Sequence, residues 1–99
     1  MPYFCYIVEC TDGTFYTGWS TDPERRMKVH NAGRGARYTS QRRPVKLVYV
    51  ESVDDHSTAL KRERALKKLD HPRKQKLVDL YVQQVYSETR EDASITIST

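Results

Sequence analysis

The sequence predicts a small α/β sandwich, a three-stranded antiparallel sheet flanked by helices in the order β-β-α-β-α-α. Three observations carry that reading. Two aromatic and branched runs, YFCYIVEC at 3–10 and TFYTGWS at 14–20, are separated only by Thr11-Asp12-Gly13. A third run, VKLVYV at 45–50, stands well apart from both. Three stretches with helix-start residues remain, enough to cover a sheet that would not be stable bare.

The first two runs make a hairpin. A two-residue Asp12-Gly13 turn would send Tyr6 and Tyr16 to opposite faces, because side chains alternate along a strand. A three-residue loop with Gly13 in the left-handed conformation instead sets Tyr16 against Val8. Tyr6 is then a diagonal neighbour on the same face, about 7–8 Å away. We adopt the second register. A helix follows: Thr21 or Asp22 can cap it, Pro23 suits its first turn and Glu24 its positive end, and Ala32-Gly33 stops it after Asn31. GRGARYTSQRRP at 33–44 has no apolar periodicity and reads as a basic loop before the third strand. Asp54 and Asp55 open a second helix near 56–69, and Asp70-His71-Pro72 restarts a third, with Leu77, Leu80, Tyr81 and Val85 as its apolar face. From Ser87 the chain reads SETREDASITIST, without aromatics or helical periodicity. The expected organisation is one domain over 1–86 and a disordered tail over 87–99.

Charge is concentrated in two blocks. Eight bases and no acid lie from Arg25 to Lys46, and eight more lie from Lys61 to Lys76 against only Glu63 and Asp70. The first 86 residues hold 16 bases and 10 acids, a net of +6 within a whole-chain charge of +4. That pattern points to a polyanion, since each neutralised phosphate releases condensed counterions. Cys5 and Cys10 share one extended segment at about 3.3 Å per residue, too far apart for a disulfide. Two buried free thiols, and no apolar run of membrane-spanning length, suit the cytoplasm. Cys5, Cys10, His30, His56 and His71 lack zinc-ligand spacing, and no glycine-rich phosphate loop joins a strand to a helix.

Within the second block, LKRERALKKL at 60–69, Glu63 is the lone acid. On a wheel of about 100° per residue it falls inside the apolar arc set by Ala59, Leu60, Leu66 and Leu69, as does Arg62. An inward carboxylate needs a partner, either Lys67 one turn on or a cation. Arg26 and His30 are four apart and share a helix face, which Arg25 does not.

The order Tyr6, Tyr16-Thr17-Gly18, Arg26, His30, Ala59-Leu60-x-x-Glu63 resembles the GIY-YIG nucleases over about residues 3–78. It is similar above all to their small stand-alone members, and to the catalytic domain of the DNA-repair excinuclease. The first motif keeps only its tyrosine, as Phe4-Cys5-Tyr6. The asparagine that relatives carry beyond the glutamate has no counterpart, which leaves Lys67 or Lys68 for phosphate there. The resemblance implies phosphodiester hydrolysis on DNA in preference to RNA, branched or damaged structures included; a monomer away from membranes is assumed. It implies that Glu63 is the single protein ligand of one Mg²⁺ or Mn²⁺ ion, which suits a hard cation that keeps most of its waters. Tyr6 would be the general base, its pKa lowered by nearby cations, and Tyr16 would orient water or phosphate. Arg26 would grip a phosphate oxygen. His30 would assist proton transfer or bind phosphate, or else be a surface histidine at a helix C-terminus. Gly18 would let the backbone pass close to the site. Arg25, Arg34, Arg37, Arg42 and Arg43 would contact the nucleic-acid backbone. The alternative is a non-catalytic DNA- or RNA-binding module that stacks bases on the same tyrosines.

Overall fold

The computed structural model describes residues 2–98, with side chains as far as residue 85. Its elements are β1 (Tyr3–Glu9), β2 (Phe15–Ser20), α1 (Pro23–Asn31), α2 (Arg37–Ser40), β3 (Lys46–Val53), α3 (His56–Lys68) and α4 (His71–Ser98). The expected tail, 87–99, falls where side chains lie outside the described residues. The sheet is antiparallel in the order β2-β1-β3, so β1 is paired along both edges. The fold class is the one the sequence predicts.

The hairpin takes the three-residue loop. Gly13 has φ +82°, Cys10 N donates to Thr14 O, and Val8 stands opposite Tyr16. Asp12 holds the loop by accepting from the amide and hydroxyl of Thr14. Its carboxyl lies below the usual range, mainly because of those two bonds.

Each long helix starts on an aspartate. Asp22, Asp55 and Asp70 accept from the amides of Arg25, Thr58 and Arg73 respectively, which satisfies a donor that the helix leaves free. α1 ends through Gly33 at φ +80°, where the Gly33 and Arg34 amides close onto His30 O and Val29 O.

Two layers sandwich the sheet. On one side Cys5 and Ile7 pack with Ala59 and Leu66 of α3 and Val78 of α4. On the other, Tyr6 and Val8 meet Val45, with Met27 of α1, Leu47 and Val50 against them. Cys5 and Cys10 are buried free thiols as expected, and burial pushes both up. Among the described residues, no helix is long and apolar enough to cross a membrane.

Three local expectations need correction. The 33–44 loop contains the one-turn helix α2, because Thr39 and Ser40 hydroxyls bond back to Ala36 O and Arg37 O. β3 runs on to Val53, since Glu51 is held by Arg62 and Tyr49 while Val53 still pairs with Tyr3. On α4, Val78 is the buried residue, whereas Leu80 and Val85 are exposed.

Candidate active site

A cleft of about 420 Å³ opens along the β2 edge, lined by Tyr6, Tyr16, Gly18, Trp19, Ser20, Thr21, Arg26 and Glu63. Four of the five residues expected to carry chemistry therefore share one wall space. They come from β1, β2, α1 and α3, brought together from 58 residues of chain.

Tyr6 is the pivot. It sits on the central strand opposite Gly18, and a Cβ built at Gly18 would meet its Oη at 2.6 Å. The ring thus lies over β2 in the space a side chain would fill. This corrects the reason for Gly18: it makes room for the phenol rather than for a passing backbone. Burial pushes the Tyr6 hydroxyl above its ordinary pKa, and the Arg26 guanidinium beside it only partly offsets this. The expectation that cations lower it fails for the free protein, because desolvation of the phenolate outweighs one guanidinium.

His30 is the fifth residue, and it is not at the surface. Its imidazole is fully buried behind the cleft, with Nε2 3.0 Å from Tyr6 Oη and Nδ1 2.8 Å from Thr39 Oγ1. Burial, and then Arg26, hold its pKa below the ordinary value, so it is neutral near pH 7. The rings of Tyr6 and Tyr16 both meet it edge-on, at centroid distances of 6.0 and 5.6 Å.

Tyr16 is fixed from behind. Its ring stacks on Tyr38 at 6.1 Å, and the Arg42 guanidinium lies over the Tyr38 ring at 3.8 Å. Arg42 in turn pairs with Asp12 and donates to Tyr38 O. Arg43 donates to Ser40 O and Asn31 O and lies over Gly33. The side chains of Arg25, Arg34 and Arg37 are exposed and take no part in these bonds, while Arg42 and Arg43, the latter also exposed, are engaged in holding the loop. Their engagement depends on the loop folding back onto α1 and the hairpin, which charge spacing does not reveal.

Glu63 is the sole carboxylate of the cleft, with 18 % of its side chain exposed. Lys67 approaches it at 3.4 Å while remaining half exposed, and Lys68 is exposed. Arg62, which shares its arc, is drawn instead to Glu51 by bonds of 2.8–3.2 Å. Among the described residues no three His, Cys, Asp or Glu gather. One carboxylate beside an open cleft fits a hard, largely hydrated cation such as Mg²⁺, and does not fit zinc.

Thr39 is a site residue that sequence reasoning missed, as are Trp19, Ser20 and Thr21 on the cleft wall. The only sequence signal of Thr39 is its place in ARYTS, among polar loop residues. Asn31, the chain's sole asparagine, has a structural duty. Its amide donates to Val45 O and its carbonyl accepts from Val45 N, tying the end of α1 to the approach to β3.

Residues 2–76 match the GIY-YIG catalytic domain. A UPF0213 protein of Haloquadratum walsbyi is 49 % identical over 77 residues, covering 78 % of this chain and 86 % of that one. Another, from Desulfotalea psychrophila, is 54 % identical over 77 residues, covering 77 % and 70 %. Among solved structures, an NMR structure of an E. faecalis protein is 42 % identical with a TM-score of 0.54, covering 86 % of this chain and 88 % of that one. A UPF0213 protein from Bacillus halodurans is 41 % identical with a TM-score of 0.52, covering 81 % and 85 %.

Proposed function

The chain belongs to the GIY-YIG family of nuclease domains, and from that premise we propose that it is a metal-dependent endonuclease that hydrolyses phosphodiester bonds in DNA, branched or damaged structures included. The observation that carries this reading is the shared cleft: Tyr6, Tyr16, Arg26 and Glu63 line it, and the Tyr6 hydroxyl meets a buried neutral imidazole.

Tyr6 takes a proton from the attacking water as its own passes to His30 Nε2. The phenol is protonated in the free protein, and the neutral imidazole 3.0 Å behind it gives that proton a place to go. Arg26 holds a non-bridging phosphate oxygen and offsets the charge that builds there. Tyr16, locked by its stack on Tyr38, orients the water or the phosphate. Glu63 would hold Mg²⁺ or Mn²⁺; such an ion, when bound, polarises the phosphate and steadies the leaving oxygen. Lys67 would then exchange its partner for phosphate. Arg25, Arg34, Arg37 and Lys68 grip the nucleic-acid backbone.

The test is cleavage of duplex, single-stranded and branched DNA and of RNA, with Mg²⁺ or with chelator. Metal-dependent nicking that falls by about 10²-fold or more in Glu63→Gln and in Tyr6→Phe is the expected result. No cleavage of any substrate, with salt-sensitive binding untouched by Glu63→Gln, would leave a binding module on the same fold.

A further inference from the structure

We infer that Thr39 is a positioning residue: through its hydroxyl it fixes His30 in the tautomer whose Nε2 can accept the Tyr6 proton. A chain of hydrogen bonds runs from Ala36 through Thr39 and His30 to Tyr6. Thr39 Oγ1 lies 2.9 Å from Ala36 O and 2.8 Å from His30 Nδ1. A carbonyl oxygen can only accept, so the single hydroxyl proton goes to Ala36. The same oxygen must then accept from His30, which places the imidazole proton on Nδ1. Nε2 is left with its lone pair facing Tyr6 Oη at 3.0 Å, and the phenol donates. Reversing any one bond would leave a neighbouring contact with two facing lone pairs or two facing protons. One arrangement of protons satisfies every contact.

The surroundings support this assignment. Both His30 and Thr39 are fully buried, so water offers neither a second partner. A Cβ at Gly35 would strike the ring at Nδ1, which shows how closely the loop lies against that edge. α2, only four residues long, has its Thr39 hydroxyl aimed at the histidine and its Tyr38 ring against Tyr16. It thereby orients two of the site's residues from behind without entering the cleft itself.

Only the kinetic consequence rests on the nuclease reading; the tautomer does not. Nitrogen-15 NMR of the imidazole distinguishes the Nδ1–H from the Nε2–H form, and would be recorded on wild type, Thr39→Val and Thr39→Ser. The wild type should show Nδ1–H, Thr39→Val should gain Nε2–H, and Thr39→Ser should match wild type. Single-turnover cleavage in Mg²⁺ should slow at least about tenfold in Thr39→Val, with substrate affinity unchanged and Thr39→Ser restored. A wild-type Nε2–H signature would overturn the inference. So would a Thr39→Val protein that keeps both its tautomer and its rate. Absence of cleavage in the wild type would sink the nuclease reading while the NMR still decides on Thr39, and wild type with Thr39→Ser suffices should the valine variant not fold.

Discussion

Tyr6 and Gly18 interlock, one ring filling the place of one missing side chain. A methyl at Gly18 would lie 2.6 Å from Tyr6 Oη, so Gly18→Ala must displace the phenol from its place beside His30. Overpacking of this kind costs about 1–3 kcal/mol. We predict that loss in urea unfolding, together with a cleavage rate reduced out of proportion to the fraction unfolded. His30 gives a second prediction. Its pKa in the folded protein is below the ordinary 6.5, so between the two values the unfolded chain binds more protons. The contribution of His30 to stability is therefore flat above pH 6.5 and declines as pH falls below it. Urea midpoints of wild type and His30→Gln, measured from pH 7 to 5, should show a steeper acid decline in the wild type. At this scale the tyrosines, Arg26 and Glu63 were legible because each sits in a short motif on a regular element. The burial of His30 was not legible, because its cover comes from Gly35 and Thr39 on a stretch without periodicity.

Among the elements, α4 shows how a helical pattern can mislead. Leu77, Leu80, Tyr81 and Val85 look like one face, yet the helix docks on the side shared by Leu77, Val78 and Tyr81. Tyr81 meets Tyr49 there at 5.6 Å. Leu80, about 60° from Leu77 on the side away from Val78, is 56 % exposed. The sequence shows that a helix is amphipathic more readily than which of two adjacent apolar rows the sheet will take. Val78→Ala should cost about 2 kcal/mol in equilibrium unfolding, while Leu80→Ala should stay within about 0.5 kcal/mol of wild type. The α1–β3 tie is a further case. Asn31→Ala removes both bonds to Val45 and should destabilise by about 1–3 kcal/mol.

Over the whole molecule, net charge suggested a polyanion partner, but the fold divides the bases into two kinds. Arg25, Arg34, Arg37 and Lys68 are exposed and their side chains take no part in holding the loop, whereas Arg42 is paired and stacked and Arg43, though exposed, is bonded to the loop it closes. The two kinds should separate in DNA-binding isotherms taken across a salt series. Arg34→Ala should lower the slope of log affinity against log salt by about 0.9. Arg42→Ala should leave that slope unchanged and slow cleavage instead, because the Tyr38 ring that Tyr16 stacks on loses its cover. An unchanged slope in Arg34→Ala would remove that residue from the interface.

The central place of β1 also orders the molecule in time. Its amides and carbonyls are bonded on both edges, so in deuterium exchange its amides should be the last to label, released only when the whole domain opens. The segment 33–44 is joined mostly by side-chain bonds and should label long before. A brief local opening of that segment would free His30 while Tyr6 stays seated. The protein would then spend some moments folded but out of alignment, and on warming the site would lose its order before the fold melts.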